Sequence, residues 1–75
     1  MSKIKVESYA GYKADQFPLR FTLGEQILKA EEILDQWYSP SAQYFRVRGS
    51  DGNIYILRHD EQEDAWYLDA FRAGR

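Results

Sequence analysis

The sequence predicts an all-β domain: a small antiparallel meander of five or six strands curled into a partly open, SH3-like barrel. Three observations carry this expectation. The segment from Tyr44 to Arg58 has a hairpin pattern whose polarity fixes its own register, three further short runs alternate apolar and polar residues, and turn residues stand between successive runs where crossover helices would otherwise be needed.

The hairpin is the most informative stretch. With Ser50-Asp51-Gly52 as a three-residue loop, Gly49 faces Asn53, Arg48 faces Ile54, Val47 faces Tyr55, Arg46 faces Ile56, Phe45 faces Leu57 and Tyr44 faces Arg58. Phe45, Val47, Tyr55 and Leu57 then share one face. A two-residue Asp-Gly loop would set Val47 against Ile56 and scatter the apolar set, because a slip of one residue sends every side chain to the opposite face. The longer loop therefore fits the pattern, with Gly52 in the left-handed position of a type I turn plus bulge.

Ile4 and Val6 alternate with Lys5 and Glu7, predicting a first strand over residues 3–9 that ends where Gly11 and the polar residues 13–16 begin. Pro18 suits a strand entrance, where its missing donor is tolerated, and Arg20-Phe21-Thr22-Leu23 alternates again, predicting a second strand over 19–23 before a turn at Gly24-Glu25. Residues 65–71 close the chain as a strand, with Trp66, Leu68 and Ala70 on one side and Tyr67, Asp69 and Phe71 on the other. The stretch 25–38 is ambiguous. Ile27, Ala30, Leu34 and Trp37 recur at spacings of three and four, which predicts a helix over 25–37 and an α+β fold. Against that, the Gly24-Glu25 turn follows a strand directly, Leu28 and Ala30 alternate with polar neighbours, and a bulge near Glu31-Glu32 would bring Ile33 back inward.

The 75 residues make one domain, residues 1–75, and a chain this short hides only about 60% of the surface its unfolded form exposes. Two tryptophans, six tyrosines and four phenylalanines make a single core feasible. With no cysteine, a disulfide scaffold and a thiolate metal site are excluded, so a reducing, cytoplasmic setting is expected. The start, Met1-Ser2-Lys3-Ile4-Lys5, lacks the apolar run of a secretory signal, and no stretch approaches the length of a membrane helix. A net charge of −2 argues against a partner held by bulk electrostatic attraction.

The order Val6-Glu7-Ser8-Tyr9, Phe21-Thr22-Leu23-Gly24, Glu32-Ile33-Leu34-Asp35-Gln36-Trp37-Tyr38, Tyr44-Phe45-Arg46-Val47-Arg48, Asp51-Gly52-Asn53-Ile54-Tyr55-Ile56-Leu57-Arg58-His59-Asp60 and Trp66-Tyr67-Leu68 resembles a family of short, uncharacterised bacterial cytosolic proteins. The resemblance covers nearly the whole chain. It implies that the ambiguous stretch is a bulged β-hairpin arm, although Leu28-Lys29-Ala30-Glu31 departs from the more strand-like sequence of the family at those positions. The family has no assigned activity, so it implies no catalytic or binding residues.

By the hairpin register, Tyr44, Arg46, Arg48, Ile54, Ile56 and Arg58 share the outward side. As a binding face for a protein partner or a second copy, arginines would pair with carboxylates around an isoleucine centre; for nucleic acid, they would meet phosphates while Tyr44 stacks on a base. The plainer alternative is a barrel exterior on which arginine stems cover Ile54 and Ile56. His59 precedes Asp60, Glu61, Glu63 and Asp64, but neither zinc nor calcium ligand spacing is present, which predicts a solvated acidic turn and no metal. Catalysis finds no support. The serines lie outside any elbow motif, adjacent carboxylates point to opposite faces of a strand, and no cofactor motif appears. In the pairs Trp37-Tyr38 and Trp66-Tyr67, the tryptophans are expected in the core and the tyrosines outside. The expected function is thus a non-enzymatic cytosolic interaction module, with a nucleic-acid-binding accessory domain as its alternative.

Overall fold

A computed structural model describes residues 2–10 and 16–73. They form six strands: β1 (Ser2–Ala10), β2 (Gln16–Leu23), β3 (Gln26–Ser39), β4 (Ala42–Gly49), β5 (Ile54–Asp60) and β6 (Ala65–Arg72). Every neighbour pair is antiparallel, and β1 returns to β6, so the sheet is a closed barrel where a partly open one was expected. The polar segment expected to end the first strand at residues 11–15 lies outside the described residues.

Two long strands close the barrel by each serving two neighbours. β1 pairs with β6 through Ser2–Ile4 and with β2 through Lys5–Ala10. β3 pairs with β2 through Gln26–Lys29 and with β4 from Ala30 to Ser39. The helix over 25–37 is therefore absent; the chain there is strand. The helical spacing of Ile27, Ala30, Leu34 and Trp37 does not mark a single buried face, because Ile27 and Trp37 are exposed while Ala30 packs against the core; two bulges, between Ala30 and Glu32 and between Ile33 and Asp35, each add a residue and break strict alternation. The first is the expected bulge near Glu31-Glu32, and it sets Ile33 opposite the buried Val47, although Ile33 itself stays partly exposed. Among the described residues, the second edge of Ala30–Ser39 has no strand partner, and the bulges together with Glu31, Glu32 and Asp35 blunt it against edge-to-edge pairing.

The second strand begins at Gln16, earlier than expected, and Pro18 sits inside it. Its position is tolerable because the β1–β2 register shifts there and β3 pairs only with Arg20–Leu23, so no ladder needs the missing N–H.

The β4–β5 hairpin has the predicted register from Tyr44↔Arg58 to Arg48↔Ile54. The Gly49 N–H donates to the Asn53 carbonyl at 2.8 Å, the Gly52 N–H donates to the Gly49 carbonyl at 2.9 Å, and Gly52 takes a φ of 87°. Phe45, Val47, Tyr55 and Leu57 are buried with Phe21, Leu28 and Trp66, filling the barrel with side chains as a six-stranded closure requires. The aromatic rings interlock: Phe21 meets Tyr55 edge-on at 5.0 Å, and Phe45 lies 5.7 Å from Trp66 and 6.0 Å from Phe17.

The last strand carries a correction. A register shift between Ile56 and Leu57 leaves Asp69 as the extra residue, so Leu68 faces Leu57 but Ala70 faces Ile56 and Phe71 faces Tyr55. Alternation is inverted beyond the bulge. Ala70 joins the outer side, and the Phe71 ring lies 5.3 Å from Tyr55 while remaining exposed.

Candidate functional site

Each β4 and β5 residue opposite in parity to the buried set lies on the outside of the barrel, and pairing extends these positions into rows across β3, β4, β5 and β6. One row reads Trp37, Tyr44, Arg58, Tyr67; the next, Asp35, Arg46, Ile56, Ala70; the third, Glu32, Arg48, Ile54, Arg72. All six residues expected to share a face, Tyr44, Arg46, Arg48, Ile54, Ile56 and Arg58, therefore do so. They do not act as one group.

Arg58 is built into the fold. Its Nε lies 3.2 Å from Asp69 Oδ1, its terminal nitrogen lies 3.6 Å from Asp60 Oδ2, and its guanidinium carbon sits 4.4 Å from the centre of the Tyr67 ring. Its side chain is only 15% exposed, so it is a strut more than an available cation. Arg48 forms an ion pair with Glu32 across β3 and β4. The Tyr67 hydroxyl donates to Glu63 Oε1 at 2.6 Å; that hydrogen bond, with a smaller contribution from burial, raises the phenol above its ordinary range.

Arg46 and Arg72 differ from these two. Both are exposed, and neither has an ion-pair partner among the described residues. Asp35 stands opposite Arg46 in the register, yet its Oδ1 accepts from the Gln36 N–H at 2.9 Å. Between the two arginines lies a shallow groove of about 620 Å³ lined by Leu34, Arg46, Ile54, Ile56, Ala70, Phe71 and Arg72. A cleft of similar size, about 610 Å³, lies beside β1, β2 and the 63–66 segment, where Lys3, Lys5, Glu63, Asp64 and the Arg20–Glu7 pair mix both charges.

Two residues depart from expectation. Trp37 was expected in the core, and Trp66 is indeed buried, but Trp37 is 39% exposed and stacks on Tyr44 on the outer face, ring centroids 5.5 Å apart. The bulge between Ile33 and Asp35 resets its parity. The acidic turn expected after His59 is exposed at residues 61–64, but His59, at the end of β5, is buried, stacked on Trp66 at 4.6 Å, with Nε2 2.9 Å from Asp64 Oδ1 and a buried Nδ1 that has no hydrogen-bond partner. Asp64 takes a φ of 53°, a left-handed conformation that a turn accommodates, in the segment where this contact forms.

Sequence reasoning missed Leu34, Ala70, Phe71 and Arg72 as parts of the groove, and Trp37 as part of the face. The β5–β6 bulge leaves no local signature. His59 was within reach, because continuing the alternation from Leu57 places it inside. Comparison with protein-family models, with curated proteins and with solved structures returns no match to this chain.

Proposed function

We propose that this chain is a non-enzymatic interaction module of the cytosol, allied to the short bacterial proteins its motifs resemble, and that it binds a protein partner through the outer face of β3 to β6. The groove over Ile54, Ile56, Ala70 and Leu34 supports this most strongly: it is an aliphatic floor on a sheet face where Arg48 and Arg58 are already paired with carboxylates. Protein interfaces have this composition, an apolar centre with a polar rim that includes arginine and aromatic residues. Trp37 and Tyr44 supply the aromatic rim beside it. The groove lining joins two arginines to an apolar floor, the composition of a binding surface.

Nucleic-acid binding is the second function this face could serve, with the Trp37–Tyr44 stack as a platform for bases. The engagement of Arg48 by Glu32 and of Arg58 by Asp60 and Asp69 weighs against it, because a phosphate backbone would meet those carboxylates.

Co-purification of the tagged chain from its native cells, at low and high salt, tests the proposal. The expected result is a protein partner retained by the natural sequence and lost by Ile56→Glu. Material consisting of nucleic acid that high salt releases, or a partner that Ile56→Glu retains unchanged, contradicts it.

A further inference from the structure

Resting on that protein-binding proposal, we infer that the partner segment is extended and carries two acidic side chains bracketing an apolar one, with the apolar side chain seated between Ile54 and Ile56 and the acids held by Arg46 and Arg72. Three observations lead to this chemistry. The floor of the groove is aliphatic, made by Ile54, Ile56, Ala70 and Leu34. Its two arginines stand at opposite corners of the register: Arg46 is in the row of Ile56 and Ala70, whereas Arg72 is in the row of Ile54, on the far strand. Neither is neutralised among the described residues, in contrast to Arg48 and Arg58 on the same face.

Spacing turns the charge complementarity into a length. Two strand separations and two residues of rise put the Arg46 and Arg72 backbones about 12 Å apart. An extended segment covers about 13 Å between residues i and i+4, so acids four positions apart, with an apolar residue midway, match both corners and the floor. Guanidinium groups suit this task because their planar fork pairs with a carboxylate through two parallel hydrogen bonds. A nucleic acid would offer phosphates but nothing for the aliphatic floor. A second copy would have to present this acid pattern from its own surface.

The test is a titration of the 15N-labelled full chain with end-capped Gly-Asp-Ala-Leu-Ala-Asp-Gly, with its Asn-for-Asp counterpart, with its Lys-for-Asp counterpart, and separately with oligo(dT). The expected result is that the Asp peptide shifts the amides of Ile54, Ile56 and Ala70. Arg46→Glu or Arg72→Glu should weaken it about tenfold or more, as loss of a charge-assisted pair does. Lys5→Glu, the same charge change on β1, should leave it unaltered, and the Lys peptide should prefer the double Glu variant.

Equal binding of the Asn peptide would overturn the inference while leaving the protein-binding proposal standing. Absence of groove shifts with every peptide would overturn the inference alone, since co-purification judges the wider proposal separately. Groove shifts with oligo(dT) and none with peptide would overturn both. Concentration-dependent shifts of the chain alone at these amides would make a second copy the occupant and overturn the inference.

Discussion

Trp37 and Tyr44 lie ring on ring across β3 and β4, with planes 2° from parallel. The pair sits outside the barrel, whereas Trp66 sits inside at 6% exposure. The two tryptophans must therefore respond differently to truncation. Trp37→Ala should cost about 1 kcal/mol, the value of an aromatic pair on a surface. Trp66→Ala should cost about 3–5 kcal/mol, because it opens a cavity beside Phe45 and His59. Urea unfolding of both variants checks this, and equal losses would place Trp37 in the core.

Arg58 is predicted to be structural. Replacing it with Met leaves Asp60 and Asp69 without their shared counter-ion and removes the cation from the Tyr67 ring. The partial exposure of the trio limits the loss to about 1–2 kcal/mol. Groove binding should be unchanged in that variant. Full stability with lost binding would return Arg58 to the binding set.

The hairpin loop carries a pH dependence. Burial opposes ionisation of Asp51, but hydrogen bonds from the Tyr55 hydroxyl at 2.6 Å and from the Asn53 backbone and amide outweigh it, so the carboxyl is held below its ordinary value. A lowered folded value means that this stabilisation is complete above the ordinary carboxylate range, near pH 4, and is lost as pH falls through the folded value. Thermal melts between pH 2 and about 6 should show a slope on the acid side that Asp51→Asn flattens. On the alkaline side, burial and then the Asp51 bond raise Tyr55, so its contribution is complete below about pH 10 and declines as pH rises through the folded value.

Glycines 49 and 52 are needed for different reasons. A Cβ at Gly49 would fall 2.9 Å from Asp51 Oδ1 and 3.0 Å from the Tyr55 ring, displacing the bond between them. A Cβ at Gly52 meets nothing, but its φ of 87° strains any residue with a side chain. Gly52→Ala should therefore cost about 1 kcal/mol through the backbone alone. Gly49→Ala should also abolish the acid-side slope assigned to Asp51, which Gly52→Ala should keep. The pH-dependent melts distinguish them.

The central hairpin was legible because Phe45, Val47, Tyr55 and Leu57 admit only one register around Ser50-Asp51-Gly52. The face that opposes them followed directly. The bulge near Glu31-Glu32 could be read from the pattern, but the one between Ile33 and Asp35, which puts Trp37 outside, and the one in β6, which turns Ala70 outward and sets Phe71 against Tyr55, could not. Bulges depend on strand pairing, which residues far apart in sequence decide. For the same reason the availability of each arginine was hidden: Arg48 and Arg58 are engaged by Glu32 and Asp69, which only the pairing brings alongside.

The most direct test compares Ile56→Glu with Leu57→Glu by thermal melting. These neighbours on β5 point to opposite sides, Leu57 fully buried and Ile56 on the floor of the groove. Ile56→Glu should melt within about 5 °C of the natural sequence, a change of about 1 kcal/mol for a domain of this size, and Leu57→Glu should not fold. A folded Leu57→Glu, or an Ile56→Glu that unfolds with it, would contradict the arrangement of core and face.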